Sequence, residues 1–340
     1  MHSVDNQDNS AGGFGSPGAP ASTSGRTLAE LRTKGRTHWV PSVQLAGSSL
    51  ICRGKLLRIA AVPDEDLVEG ESVVDPESLV ALMKKGQLRA DILTFAQRLP
   101  DMEPKYRFYF EWENVAAVKV TTFSHWWKDC TEYSVRKAVN RSKRLGVVAK
   151  RVEFDDDFCA AIWRIYRDTP IRQGKAFWHY KKDVSAVKRE LATYVDRSIF
   201  LGAYYENELI GSMKMIRVGP AASIMQIFCS SRHFDKRPNN ALIAKAIEIC
   251  EEERMQYLIY GSFVYYDSAS TLTEFKRRNG FQPVLLPRYY VPLTIKGRLA
   301  LRLGVHHGIL GKVPEPLLRW FLRGRRLWNA WRHGGAAVAS

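Results

Sequence analysis

The order of strand and helix signals between residues 146 and 293 constrains this chain more than any other feature. "VVAKRVEF" reads as a strand. "DDDFCAAIWRIYRDT" reads as a helix, with aspartates in the first turn that complement its dipole and Pro170 beyond its end. A loop, "IRQGKAFWHYKK", leads to a second helix, "DVSAVKRELATYVD". Then come the strands "SIFLGAYY" and "LIGSMKMIRV", joined by a turn at Glu206–Glu208, and a third strand, "ASIMQIFC". The helix "DKRPNNALIAKAIEICEEE", the strand "QYLIYGSFV", the short helix "SASTLTEFKRRNG" and two strands, "FQPVLL" and "RYYVPLT", close the run. The order β-α-α-β-β-β-α-β-α-β-β predicts an α+β domain with a mixed sheet and flanking helices, not a doubly wound one.

The flanks differ. Residues 1–27 are rich in Gly, Ser, Ala and Pro and predict a disordered tail. Residues from about 50 to 125 carry mixed signals: a strand at "LLRIAAV", a helix at "DPESLVALMKKG", an ambiguous "ADILTFAQRL" and aromatic, β-branched strand character at "YRFYFEWENVAAVKVTTF". "WWKDCTEYSVRKAVNRSKRLG" predicts a basic helix ending at Gly146, either a solvated face, an anion contact or an interdomain strut. Residues 294–340 form a basic extension in which "EPLLRWFLRGRRLWNAW" reads as an amphipathic helix interrupted at Gly324. Such a helix suits an anionic lipid surface, or docks on the domain with its arginines in water.

A formal net charge of +16 favours anionic partners: nucleic acid, phosphorylated cofactors or an acidic membrane surface. The five cysteines are scattered and form no C-x-x-C pair, which argues against a disulfide framework or zinc site. The histidines are mostly isolated, and His306 and His307, being adjacent, cannot share a helix face, so no metal is expected. No run approaches a membrane span, and the N-terminal stretch lacks the pattern of a secretory signal. The expected location is cytoplasmic, with peripheral contact at the inner face of the membrane through 294–333.

This element order, with "FKRRNGF" near its end and "RKAVNRSKRLGV" before it, resembles the GNAT acyltransferase superfamily, and more specifically its Fem-type (FemAB-like) branch. Those proteins are tandem GNAT-like folds that transfer amino acids or acyl groups, some to peptidoglycan precursors. The resemblance implies a degenerate first GNAT-like half at 28–145 and an acyltransferase half at 146–293.

The resemblance also places the sites. GNAT proteins hold the coenzyme A pyrophosphate at the start of the central helix on R/Q-x-x-G-x-G/A. Here Lys236, Arg237, Pro238, Asn239, Asn240 and Ala241 occupy those positions. Asn239 replaces the first glycine and tolerates positive φ, whereas Pro238 removes a donor. The loop is therefore open to coenzyme A, to another activated donor such as aminoacyl-tRNA, or to a simple helix start. Backbone amides around Ile227, Phe228 and Cys229 would polarise the transferred carbonyl. Lys276 stands where many GNAT enzymes have an acid tyrosine, and could stabilise developing negative charge.

His179 titrates near neutrality and is a candidate base, on an acceptor-side loop with Arg172, Trp178 and Tyr180, or else part of an aromatic loop over the core. Tyr260, Tyr265, Tyr266 and Asp267 lie at the end of a strand. Tyr265 or Tyr266 is a candidate displaced acid, Asp267 or Ser268 a candidate cap for the next helix, and Glu274 a candidate substrate contact or an ordinary helix carboxylate.

The expected function is N-acyl transfer from an acyl-CoA such as acetyl-CoA to an amine, on a sugar or a lipid-linked cell-envelope precursor. The alternatives are a non-catalytic GNAT-fold protein that binds nucleic acid or anionic membrane, and an aminoacyl-tRNA-dependent transferase.

Overall fold

The computed structural model describes residues 27–33, 36–65, 73, 75–86, 88–172, 175–264 and 270–307. The Gly/Ser-rich stretch before residue 27, the amphipathic segment 315–331, Tyr265, Tyr266, Asp267 and Ser268 lie outside the described residues.

The first half contains β1 (Thr27–Thr33), β2 (Arg36–Leu45), β3 (Ser48–Arg53), β4 (Ile59–Ala61), α1 (Pro76–Lys84), β5 (Ile92–Ala96) and β6 (Phe110–Lys119). The three strands over 27–53 were not legible in sequence. A short turn, α2 (Phe123–His125), runs into a π-helical turn at Trp126–Cys130, and the basic helix α3 (Tyr133–Arg144) follows. Its chain reverses at Gly146, φ +83°.

The second half has β7 (Val148–Val152), α4 (Asp156–Tyr166), a small hairpin of β8 (Ile171–Arg172) and β9 (Lys175–Ala176), α5 (Val184–Leu191), β10 (Ser198–Tyr205), β11 (Glu208–Val218) and β12 (Ala221–Cys229). It continues with α6 (Pro238–Glu252), β13 (Tyr257–Ser262), α7 (Thr271–Arg278) and β14 (Gln282–Pro292), and α8 (Ile295–Arg302) lies beyond. The β10–β11 turn holds Glu206 and Asn207, both at positive φ, as a two-residue hairpin requires.

One mixed sheet of twelve strands runs through the described residues, in the order β1-β2-β3-β4-β5-β14-β6-β13-β12-β11-β10-β7. Each half contributes a parallel pair joined by a helix: β4 with β5 around α1, and β12 with β13 around α6. The strand after each pair then crosses over. β6, from the first half, lies beside β13; β14, from the second, pairs with both β6 and β5. The halves are thus joined by exchanged strands, and the sheet is continuous across residue 145.

β14 corrects the expectation of two strands at 281–294. Pro287 has no N–H, but its carbonyl accepts from Gln97 at 2.9 Å and the strand passes straight through. The α7 cap is a second correction. Ser270, not Asp267 or Ser268, accepts from the Thr273 N–H at 3.3 Å, and Thr273 returns the bond to the Ser270 N–H.

The main core lies between the β10–β13 sheet and α6 with α3. Ten of the fifteen α6 residues are buried, and the exposed ones, Glu251 and Glu252, stand at its end. The opposite sheet face packs on α4 and α5, and α1 covers the first half.

Candidate active site

The second half's parallel pair opens into a gap. β12 pairs with β11 along its length but with β13 only from Ala221 to Ser223. The Ser230 N–H donates to the Ile210 carbonyl at 2.8 Å. Strand alternation then directs the Phe228 backbone to β11 and turns the Ile227 and Cys229 backbone towards the gap. A bulge at Met225 adds twist. On the other side β13 bends at Gly261, φ +56°, where its register against β6 slips. The gap therefore widens towards the start of α6.

That start is built from Arg237, in the left-handed region at φ +58°. A non-glycine residue there costs about 1–2 kcal/mol. Pro238 follows at the first helical position, fitting the preset φ of proline. No side chain caps the helix. The Arg237 N–H donates to Phe234, and the Asn240 and Ala241 N–H groups turn back to the Arg237 carbonyl at 3.2 and 3.3 Å. Partial burial, then the neighbouring Arg141 charge, lower the Arg237 pKa. Lys236 Nζ lies 4.6 Å from the Tyr205 ring centroid and 3.5 Å from the Asp235 carboxylate. Asn239 is buried, and Asn240 Nδ2 lies 3.5 Å from Asn279 Oδ1 at the end of α7.

The first half repeats this plan with the opposite electrostatics. α1 begins at Asp75, whose carboxylate accepts from the Ser78 N–H at 3.1 Å. The gap beyond β4 and β5 is crossed by Glu65, which accepts from the Ala96 N–H at 2.6 Å and from Arg288 at 2.7 Å. One helix start carries its own anion; the other is headed by a cation.

Lys276 reaches the end of β13 from α7. It is fully buried, donates to the Ser262 carbonyl at 2.7 Å and lies 4.6 Å from the Tyr260 ring centroid. Burial pushes its pKa down to about 7. Gly261 and Ser262 line a small cavity, about 20 Å³, shared with Glu65, Arg98 and Arg288. The end of β13 thus meets the first half at Gly261 and Ser262, the residue whose carbonyl Lys276 holds.

His179 sits in the α4–α5 core, 2% exposed, with ring centroids 4.4 Å from Tyr166 and 4.9 Å from Phe228. Burial first, then the Lys182 and Arg172 charges, hold its pKa well below the usual histidine value. Lys182 Nζ lies 3.1 Å from its Nδ1 and pairs with Glu190 at 2.5 Å. Arg172 is buried, donates to the Ile165 carbonyl at 2.9 Å and covers the Phe177 ring. Trp178 stacks against His179 and Lys182, and Tyr180 packs beside Arg167. This loop reaches β12 through Phe228, but its polar groups are engaged in holding the loop. Glu274 faces outwards, gripped by Arg277 and Arg278, which hold its pKa down to about 2.

Sequence reasoning missed Lys214. It reads as an ordinary strand residue, yet it is 1% exposed and donates to the carbonyls of Leu191 (2.9 Å) and Thr193, and to Thr193 Oγ1 (2.9 Å). Burial lowers its pKa to about 7. The nearby Tyr194 hydroxyl donates to Asp64 at 3.1 Å, tying the halves together through two residues at positive φ.

No protein-family model matches the sequence, and comparison with curated proteins finds no match. Solved structures do match. FemX superposes with a TM-score of 0.52 at 10% identity, over 81% of this chain and 89% of that one. The chain has the Fem-type tandem GNAT fold. L-PGS from Bacillus licheniformis aligns at TM-score 0.49 and 16% identity, over 75% of this chain and 85% of that one. The β12–β13 gap lies in the second half of the chain, and the plugged β4–β5 gap in the first.

Proposed function

We propose that this protein is a transferase that moves an acyl or aminoacyl group from an activated, phosphate-bearing donor to an amine. The observation that carries this reading is the asymmetry between the two helix starts. Asp75 and Glu65 supply the first half with its own carboxylates, whereas α6 presents Arg237, without a side-chain cap, at the mouth of an open strand gap. A helix N-terminus flanked by cations attracts a phosphate.

The chemistry needs no covalent enzyme intermediate. The amine attacks the donor carbonyl, a C–N bond forms, and the bond to the thiol or ribose oxygen breaks. Backbone turned towards the gap at Ile227 and Cys229 would face the carbonyl oxygen. Lys276, with its pKa near 7, is the candidate to receive or return the proton. His179 then serves mainly to pack the loop against β12.

Two donors satisfy this scheme. An acyl-CoA pyrophosphate is usually cradled by backbone amides, and here those of Arg237, Asn240 and Ala241 already have intrachain acceptors. That favours a donor gripped by side chains. α3, which packs on α6, adds exposed Lys137, Arg141, Lys143 and Arg144, a basic track suited to the polyanion of an aminoacyl-tRNA. Equilibrium titrations with acetyl-CoA, desulfo-CoA and bulk aminoacyl-tRNA separate the donors without knowledge of the acceptor. Saturable binding of tRNA alone supports the aminoacyl reading, and of the CoA compounds alone the acyl-CoA reading. Binding of neither leaves a non-catalytic GNAT-fold binder.

The acceptor side bears on the membrane. No helix among the described residues is long and apolar enough to cross one. α8 exposes Ile295 (85%), Leu299 (56%) and Leu303 (54%) along one stripe, between Lys296, Arg298 and Arg302. An apolar stripe between cations suits peripheral contact with anionic lipid, and so a lipid-linked amine acceptor.

A further inference from the structure

Glu111 of β6 meets His306 and His307, which follow α8, although nearly two hundred residues separate them. His306 Nε2 is 3.0 Å from Glu111 Oε1 and His307 Nε2 is 2.6 Å from Oε2. The three ligand atoms lie within 4.8 Å of one another. Adjacent histidines cannot share a helix face, but these two lie past the helix end, where the chain turns both rings onto one carboxylate. Spacing along the sequence does not bring these three side chains together; the fold does.

From this constellation we infer a site for a divalent transition metal ion of the zinc type, held by Glu111, His306 and His307, with a further position left for water or a ligand. Two imidazoles and one carboxylate form a donor set suited to zinc. The His306 side chain is buried, with its Nε2 aimed at the Glu111 carboxylate.

The surroundings already hold the ligands in place. The Tyr109 hydroxyl donates to Glu111 Oε1 at 2.9 Å, the kind of outer partner that orients a ligating carboxylate. The Tyr290 ring packs edge-on against both imidazoles. Tetrahedral zinc with ligands at about 2.0–2.1 Å sets them roughly 3.3 Å apart, so side-chain shifts on the order of an ångström bring the three ligands into place. His306 also lines a cavity of about 370 Å³ with Arg53, Asp64, Glu113 and Arg288, so a ligand of the metal has a space beside it. The inference is independent of the transfer reading.

The test uses the full chain without a histidine tag, stripped with chelator and dialysed, then titrated with Zn²⁺ and with Co²⁺ as a spectroscopic probe. About one ion per chain is expected, with the visible absorption of low-coordinate Co²⁺ and a raised melting temperature. His307→Ala alters a half-exposed side chain, and Glu111→Gln keeps the shape of the carboxylate. Each is expected to weaken binding at least about tenfold, the lower end of what even an outer partner of a metal contributes. The absence of Zn²⁺ or Co²⁺ binding by the wild type would overturn the inference. So would wild-type affinity in both variants, which would place the ion elsewhere.

Discussion

Lys276 Nζ lies 2.7 Å from the Ser262 carbonyl oxygen, inside the protein at the end of β13. Burial lowers its pKa to about 7, and the same cause does so for Lys214 on β11. Both lysines are protonated in the unfolded chain up to about pH 10. Between about pH 7 and 9 the unfolded state therefore binds more protons than the folded one, and stability rises with pH, by up to ~1.4 kcal/mol per unit for each lysine. Urea unfolding at a series of pH values across that window is expected to show the rise, and Lys276→Met to flatten it. A slope unchanged in the variant would mean that Lys276 stays charged in the folded protein.

Arg288 joins Glu65 at 2.7 Å and Glu113 at 2.9 Å across the junction of the halves. Arg288→Met leaves the Glu65 carboxylate buried without its counter-charge, which is expected to cost about 3–5 kcal/mol. Adding Glu65→Gln should recover part of that loss, read as a shift in urea midpoint. No recovery would show that Arg288 acts through packing alone.

Gly297 brings α8 onto β5. A Cβ there would fall 1.9 Å from the Asp91 carbonyl oxygen, so alanine forces the helix off the sheet. Gly297→Ala is expected to cost about 1–3 kcal/mol and to weaken zinc binding, because α8 leads directly to His306. Calorimetric melting with and without zinc checks both effects. Wild-type affinity in a destabilised variant would separate α8 from the metal.

The α8 stripe gives a membrane prediction. Flotation with vesicles of anionic phosphatidylglycerol should recover the wild type, vesicles of neutral phosphatidylcholine should not, and Leu299→Glu should abolish the difference. Equal recovery by the variant would assign lipid contact, if any, to other parts of the chain.

Much of the second half was legible because its signals are local. The turn at Glu206–Asn207 and the stop at Gly280 are examples; at Gly280 a Cβ would press on Cys130 at 3.0 Å. The start of α6 was legible as a polar helix entry, but its left-handed Arg237 was not. The exchange of β6 and β14 was not legible, because pairs such as Glu113 with Leu286 leave no trace in short-range periodicity. Lys214 does not stand out within the strand "LIGSMKMIRV", because its acceptors, Leu191 and Thr193, come from the end of α5. Glu274 reads in sequence as either a substrate contact or an ordinary helix carboxylate, and the structure has Arg277 and Arg278 drawing it outwards. Glu111, His306 and His307 come together only once β6 and α8 have been placed.

The asymmetry of the two helix starts is the centre of the account, and donor binding tests it most directly. Acetyl-CoA and aminoacyl-tRNA would be titrated into the wild type, Arg237→Glu and Asp75→Ser at one fixed salt concentration, with melting curves to confirm folding. The account predicts saturable binding of one donor, at least about tenfold weaker in folded Arg237→Glu and unchanged in Asp75→Ser. Binding of equal strength in wild type and Arg237→Glu would place the donor away from α6 and contradict it.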